Sequence, residues 1–436
     1  MHLKSKTIYY LSGIIICLLL ISSLIYILTA EESNAPKERI GKNEADEEQP
    51  LPMNTDKIRV LIKTDGFEHI VHPEIQLQAA GGLVAEFGEQ SVEYTGEEVL
   101  TVTPDDPMFD EGNVVVRPKI GGEKITVLHL NRGYGTPAYR GIMELTTTAE
   151  GIALVNELRL EEYLYGVVPS EMPSSYEGEA LKVQAVCARS YAYCHMASMA
   201  YPEYHANVDD SVSYQVYGNS AESDSAILAV SETNGEKLLY NGNVVKAYYF
   251  STSSGNTTSV EAWGTTLDES NSYLQSAEVS CDEGYYEKDL AWFSWQAIIP
   301  EEVLSNLIGL NTATDIGTLQ NVEVTVRGSG DIAQQIVATG SSGSVTVDTE
   351  NKIRSALGGG GYQITRQDGS VVDCGTLLPS AFFTIRKEEG NYVIDGGGYG
   401  HGIGMSQNGA NEMAKQGKSY KEILQLFYKG VEVTAD

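Results

Sequence analysis

Residues Tyr165 to Tyr193 read YGVVPSEMPSSYEGEALKVQAVCARSYAY, and this stretch decides the fold. Glu171 lies between Pro169 and Pro173, and a helical pattern follows. Each proline fixes its own φ and restricts the residue before it, so the backbone around Glu171 is preset. The spacing predicts a helix from Ser174 to Met199. Ser174 and Glu177 have capping-box spacing. Leu181, Ala185, Ala188 and Ala192 make one small-residue face suited to close packing. Lys182 and Arg189 are seven residues apart, so they share a stripe to within about 20°. Glu171 is then expected just before a helix N-terminus, where the positive end and two cations favour its ionised form and burial opposes it. Two readings stay open on these residues alone: an ordinary helix-start carboxylate, or a positioned acid.

Upstream, short β-rich runs are broken by Gly and Asp: IRVLI (58–62), VVVRP (114–118), ITVLHL (125–130), GIMELTTT (141–148) and GIALV (151–155). Downstream, a helical piece over Ser220 to Ser231 precedes two strands, GEKLLY and NVVKAYYFST, joined by the hairpin signal Asn241-Gly242. A helix near Pro300 to Ile308 and the strands VEVTVRG and FFTIRK follow. Two short helices divided by Gly417 end the chain, with Ser419 and Glu422 at capping-box spacing. The expected class is α+β: a β-rich N-terminal part, a mixed α/β catalytic core, and a transmembrane anchor ahead of both. The expected divisions are 57–138 β-rich, 139–279 core, 280–390 accessory, and 391–436 a C-terminal Gly-His-Gly segment completing a groove.

The anchor expectation rests on residues 8–29, IYYLSGIIICLLLISSLIYILT, which are uncharged for about the length that crosses a bilayer. Lys4 and Lys6 precede the run and Glu31 and Glu32 follow it, which places 1–7 in the cytoplasm and the rest outside the cell membrane. The run is long for a cleaved leader. Residues 30–56 read as a charged, disordered linker. With 436 residues and a formal charge of −31, the chain offers no clustered cations for nucleic acid. Four cysteines follow the anchor: Cys187, Cys194, Cys281 and Cys374. Cys187 and Cys194 on one helix sit roughly 10 Å apart, beyond disulfide reach; the remaining pairings stay open.

Two further segments carry candidate chemistry. AYYFSTSSGNTTSVEAWG (247–264) combines aromatics and hydroxyls, a mixture suited to the apolar faces and polar edges of sugars. In GGGYGHGIGMSQNGA (396–410), His401 is flanked by Gly400 and Gly402, which allow tight turns or close approach to a ligand. No G-x-S-x-G elbow accompanies His401 and Ser406. His205, Asp209 and Asp210 alone make a weak case for a metal site.

Taken together, VNELRLEEYLYGVVPSEMP, EALKVQAVCARSYA, YYFSTSSG, VEAWG, YLQS, IRSALG, GYGHGIGMSQNGA and YKEILQLFYKG resemble the stage II sporulation protein D family, also called the amidase-enhancer or LytB family. The resemblance runs from about Ile58 to the C-terminus. It implies a peptidoglycan lytic transglycosylase, or a non-catalytic wall-binding activator of an amidase. It further implies glycan strands, a cell-wall amidase and membrane proteins as partners, and no cofactor. By position, Glu171 matches the family's catalytic glutamate, and Lys182 and Arg189 its cationic positions. Tyr248, Tyr249, Ser251, Ser253, His401 and Gln407 fall in the other blocks and are expected to line the substrate groove. Some members carry a Cys/His metal site before the QVY segment. Asp209, Ser213 and Tyr214 stand there in this chain, so no structural zinc is expected. Tyr399 stands where a Trp is usual.

Overall fold

The computed structural model describes residues 57–435. The expected tail, anchor and linker (1–56) lie outside the described residues. Among the described residues no helix is long and apolar enough to cross a membrane.

The described chain is mixed α+β with a β-rich N-terminal part. Its first sheet has eight strands, and one antiparallel pair in it is Lys57–Ile62 against Ile152–Arg159, registered Lys57 to Arg159. Ile142–Thr147 and Val114–Pro118 continue it. Strands therefore enter this sheet from both sides of residue 138. The runs IRVLI and GIALV are buried on both faces here, which explains their nearly continuous apolar character.

Seven helices follow among the described residues: α1 (Leu160–Glu171), α2 (Gly178–Met196), α3 (Asp224–Glu232), α4 (Glu301–Asn311), α5 (Glu350–Leu357), α6 (Gln407–Lys415) and α7 (Tyr420–Phe427). Helix α2 is the axle of the fold. Its small-residue face, Leu181, Ala185, Ala188 and Ala192, packs into the N-terminal core with the first sheet and α1. Its other face, Val183, Val186 and Cys187, packs into the C-terminal core with α6 and α7 residues such as Ala410 and Phe427. A helix apolar on two sides is held by both layers. Full burial of Leu181 contributes about 2 kcal/mol.

Beyond α3, Asn241 and Gly242 both take positive φ, 51° and 77°, and join the strands Glu236–Tyr240 and Asn243–Val244 as the hairpin signal requires. A five-stranded sheet around Trp295–Pro300 and a three-stranded sheet (Leu319–Arg327, Ala333–Gly340, Ser344–Asp348) carry α4 and α5. The capping box at Ser419 and Glu422 forms.

Four local expectations are corrected. Glu171 does not stand just before a helix N-terminus; it is the last residue of α1, with Pro169 inside that helix, and α2 begins only at Gly178. Pro169 falls in the final turn, where only one backbone hydrogen bond is lost. The expected Ser174–Glu177 capping box is absent, because α2 starts at Gly178 and Glu177 caps it without a side-chain bond. The Glu177 amide instead donates to Asn411 of α6 at 3.0 Å. The helix also ends at Met196, three residues early. The third helix begins at Asp224, with Ser223 accepting from the Ala226 amide at 3.2 Å.

Candidate active site

Glu171 opens into a cavity of about 320 Å³ whose walls include Tyr191, Ser213, Tyr214, Tyr248, Tyr249, Trp263 and His401. Several separate segments build it. Helix α1 ends on Glu171, α2 contributes Tyr191, and the strand Tyr249–Phe250 pairs in parallel with Met405–Ser406. That pairing draws the Gly-His-Gly segment against Tyr249. It demands glycine: a Cβ at Gly404, where φ is +77°, would lie 2.1 Å from the Tyr248 carbonyl oxygen.

Glu171 is half-buried as a residue. Its Oε1 accepts the Val216 amide at 2.6 Å, and the Tyr249 hydroxyl also bonds to it. Burial is the largest influence and raises its pKa to about 7; the Val216 and Tyr249 bonds pull the other way. The C-terminal end of α1, negative rather than positive, pushes in the same direction as burial. Glu171 is the only carboxyl lining this cavity among the described residues. Gln407 donates through Nε2 to the Glu171 backbone carbonyl at 2.9 Å and to Gln184 Oε1 at 3.2 Å, so it fixes the end of α1 from α6.

His401 accepts the Ile403 amide at Nδ1, 3.1 Å, which leaves Nε2–H to donate to the Tyr249 carbonyl at 3.0 Å. Burial, with help from the Arg354 charge, lowers its pKa to about 4. It is a neutral wall residue at pH 7, packed 5.1 Å from Trp263 and 5.6 Å from Phe250. Tyr248 meets Trp263 edge-on at 4.9 Å and Tyr191 at 5.9 Å. These rings form a continuous aromatic wall facing one carboxyl, an arrangement that suits a sugar face beside an acid.

Several expected groove residues lie elsewhere. Arg189 is buried and grips both carboxylate oxygens of Glu161, at 2.6 and 2.7 Å, while donating to the Val230 and Glu236 carbonyls. Lys182 sits between Glu179 and Glu232, each at 2.8 Å, and those carboxylates push its pKa up to about 12. Neither cation lines the Glu171 cavity; the shared stripe is real, but it faces acidic partners on α1 and α3. Arg189 instead lines a wider cleft of about 790 Å³ with Arg140 and Glu162, one that contains no part of the Glu171 constellation. Ser253 is buried on Glu287, which its hydroxyl and amide both contact, with Ser406 Oγ 2.7 Å from the same carboxyl. Ser251 serves α6 through the Asn408 amide at 2.9 Å to its carbonyl.

The residues that sequence reasoning missed are Val216, Gln215 and Tyr191. Gln215 is buried and donates to the Tyr249 hydroxyl oxygen at 3.0 Å, which turns the Tyr249 proton toward Glu171. The QVY segment was the available signal, but it pointed to metal ligands. In this chain Asp209 accepts from the Tyr201 and Ser211 hydroxyls at 2.6 and 2.7 Å, and Asp210 pairs with buried Arg132 at 2.8 Å. The four described cysteines are free thiols.

The chain is similar to known proteins over much of its length. Residues 148–240 match the family described as Stage II sporulation protein, and residues 258–404 match a domain of unknown function, DUF8618. Stage II sporulation protein D of Bacillus subtilis (strain 168) is 31% identical over 295 residues, covering 64% of this chain and 76% of that protein. The stage II sporulation protein D of Bacillus amyloliquefaciens is 32% identical, over 64% of this chain and 75% of the relative. An amidase enhancer of Bacillus subtilis (strain 168) is 30% identical over 62% of this chain, but over only 40% of its own length. The chain belongs to the stage II sporulation protein D family.

Proposed function

We propose that this chain cleaves peptidoglycan glycan strands as a lytic transglycosylase, with Glu171 as the single acid and base. One observation carries the reading: Glu171, its pKa raised to about 7, stands as the only carboxyl in an aromatic-walled cavity among the described residues. An ordinary glycosidase needs two carboxyl groups flanking the bond. A lytic transglycosylase needs one. Protonated Glu171 gives its proton to the glycosidic oxygen between N-acetylmuramic acid and N-acetylglucosamine, and the C1–O bond breaks. The carboxylate then takes the proton of the muramic C6 hydroxyl, whose oxygen bonds to C1 and closes a 1,6-anhydro ring. Glu171 ends protonated, and no water is consumed. A pKa near the working pH suits a group that must give and then take one proton.

In this reading residues 8–29 tether the chain and hold the described part outside the cell membrane, against the wall it remodels during sporulation. A second reading is favoured by the relative named an amidase enhancer: a wall-binding module that activates a partner amidase without cutting glycan. Digestion of purified, peptide-free strands, with products identified by mass, separates the two. Products carrying the 1,6-anhydro end support the first. Intact strands, together with faster amidase action on whole sacculi, support the second.

A further inference from the structure

A second cavity, of about 400 Å³, opens beside the Gly-His-Gly segment and is lined by Trp292, Arg354 and Tyr399 among others. Tyr399 is 44% exposed, and its ring lies 4.7 Å from that of Trp292 at a 44° tilt. Arg366 sits 5.2 Å over the Trp292 ring. The platform is rigid. Tyr399 and Thr252 exchange backbone hydrogen bonds at 2.8 and 3.1 Å, and the Gly398 amide donates to the Trp292 carbonyl at 2.8 Å.

This cavity and the one that holds Glu171 are linked through one chain segment. Tyr399 and His401 are two residues apart, at most about 7 Å along the chain, and each lines one of the two cavities. A second link joins them. Trp263, on the wall of the Glu171 cavity, donates from Nε1 to Glu350 at 3.0 Å, and Glu350 pairs with Arg354 at 3.3 Å. Arg354 also donates from Nε to the Leu378 carbonyl at 2.8 Å. The Glu171 cavity is at the small end for a ligand site, so a polymer cleaved there must extend beyond it.

The geometry points to a second saccharide subsite on the Trp292–Tyr399 platform, which holds sugar units of the same strand whose bond lies at Glu171. Pyranose faces stack on the Tyr399 ring, and the Arg354 guanidinium meets the polar edge. The inference rests on the glycan-cleaving reading above, and it gives the region matched by the domain of unknown function a role in strand binding.

The test uses the full chain carrying Glu171→Gln, so that strands persist, and titrates it with long peptide-free glycan strands and with a single disaccharide unit. Adding Tyr399→Ala is expected to weaken long-strand binding by about three- to tenfold, to leave disaccharide binding unchanged, and to leave the melting temperature unchanged. Tyr399→Phe, which keeps the ring, is expected to bind like the parent. Equal long-strand affinity in parent and Tyr399→Ala overturns the subsite and leaves the catalytic reading standing. An equal loss for strand and disaccharide also overturns it. No strand binding by the parent overturns both.

Discussion

The backbone amide of Val216 donates to Oε1 of Glu171 at 2.6 Å across 45 residues of sequence. This bond and the Tyr249 contact orient a carboxyl that burial would otherwise leave protonated well above the usual carboxylate range. Glu171 is therefore held in place by groups that favour its anion, inside surroundings that favour its neutral acid. That balance places its titration near neutrality.

The Tyr249 hydrogen bond lowers the Glu171 pKa. Tyr249→Phe is expected to raise it further and to move the alkaline limb of the cleavage-rate profile to higher pH. The profile of kcat/KM against pH checks this, because it reports the free enzyme. A limb that stays in place or moves to lower pH contradicts the assignment of Tyr249 as a donor to Glu171.

Arg189 is a structural ion-pair residue. Arg189→Met is expected to cost about 3 kcal/mol of folding stability, since Glu161 loses its partner and the Val230 and Glu236 carbonyls lose a donor. Denaturant unfolding measures the loss. KM of the folded fraction should match that of the parent; a raised KM with unchanged stability would return Arg189 to the groove.

Glu287 is fully buried, and burial raises its pKa to about 7 despite the bonds from Ser253 and Ser406. Its folded pKa thus lies above the unfolded value of 4.5. The stability tied to its proton is complete below about pH 4.5 and is lost as pH rises through 7. Glu287→Gln keeps the shape and removes the titration. Unfolding free energy of the parent is expected to fall between pH 5 and 8 more steeply than that of the variant, by at most about 1.4 kcal/mol per pH unit. Parallel slopes in the two proteins rule this out. Glu171 supplies part of the slope that remains.

Much of the frame was legible in the sequence because it is written in local pattern. The small-residue face of α2, the Asn241-Gly242 turn and the Ser419–Glu422 cap each depend on a few adjacent residues, and each forms. The site was legible only in part. Glu171 and the aromatic segments could be named, but their partners could not, since the Val216 amide and the Gln215 side chain approach from a distant loop. The prolines signalled a preset backbone around Glu171 but not that Pro169 would lie inside a helix ending on Glu171. The stripe through Lys182 and Arg189 specified a face of α2; what that face meets, Glu161 and Glu232, is set by α1 and α3 packing. Glu287 carried no signal, because a single acid in a charged segment looks solvated until the fold closes over it.

In the proposed reaction one carboxyl performs both proton transfers. The most direct measurement is mass analysis of peptide-free glycan strands digested by the purified chain and by its Glu171→Gln variant. The parent is expected to yield 1,6-anhydro ends, and the variant a rate lower by at least about 10². Undiminished 1,6-anhydro production by the variant would contradict it, and so would hydrolysed reducing ends as the parent's products.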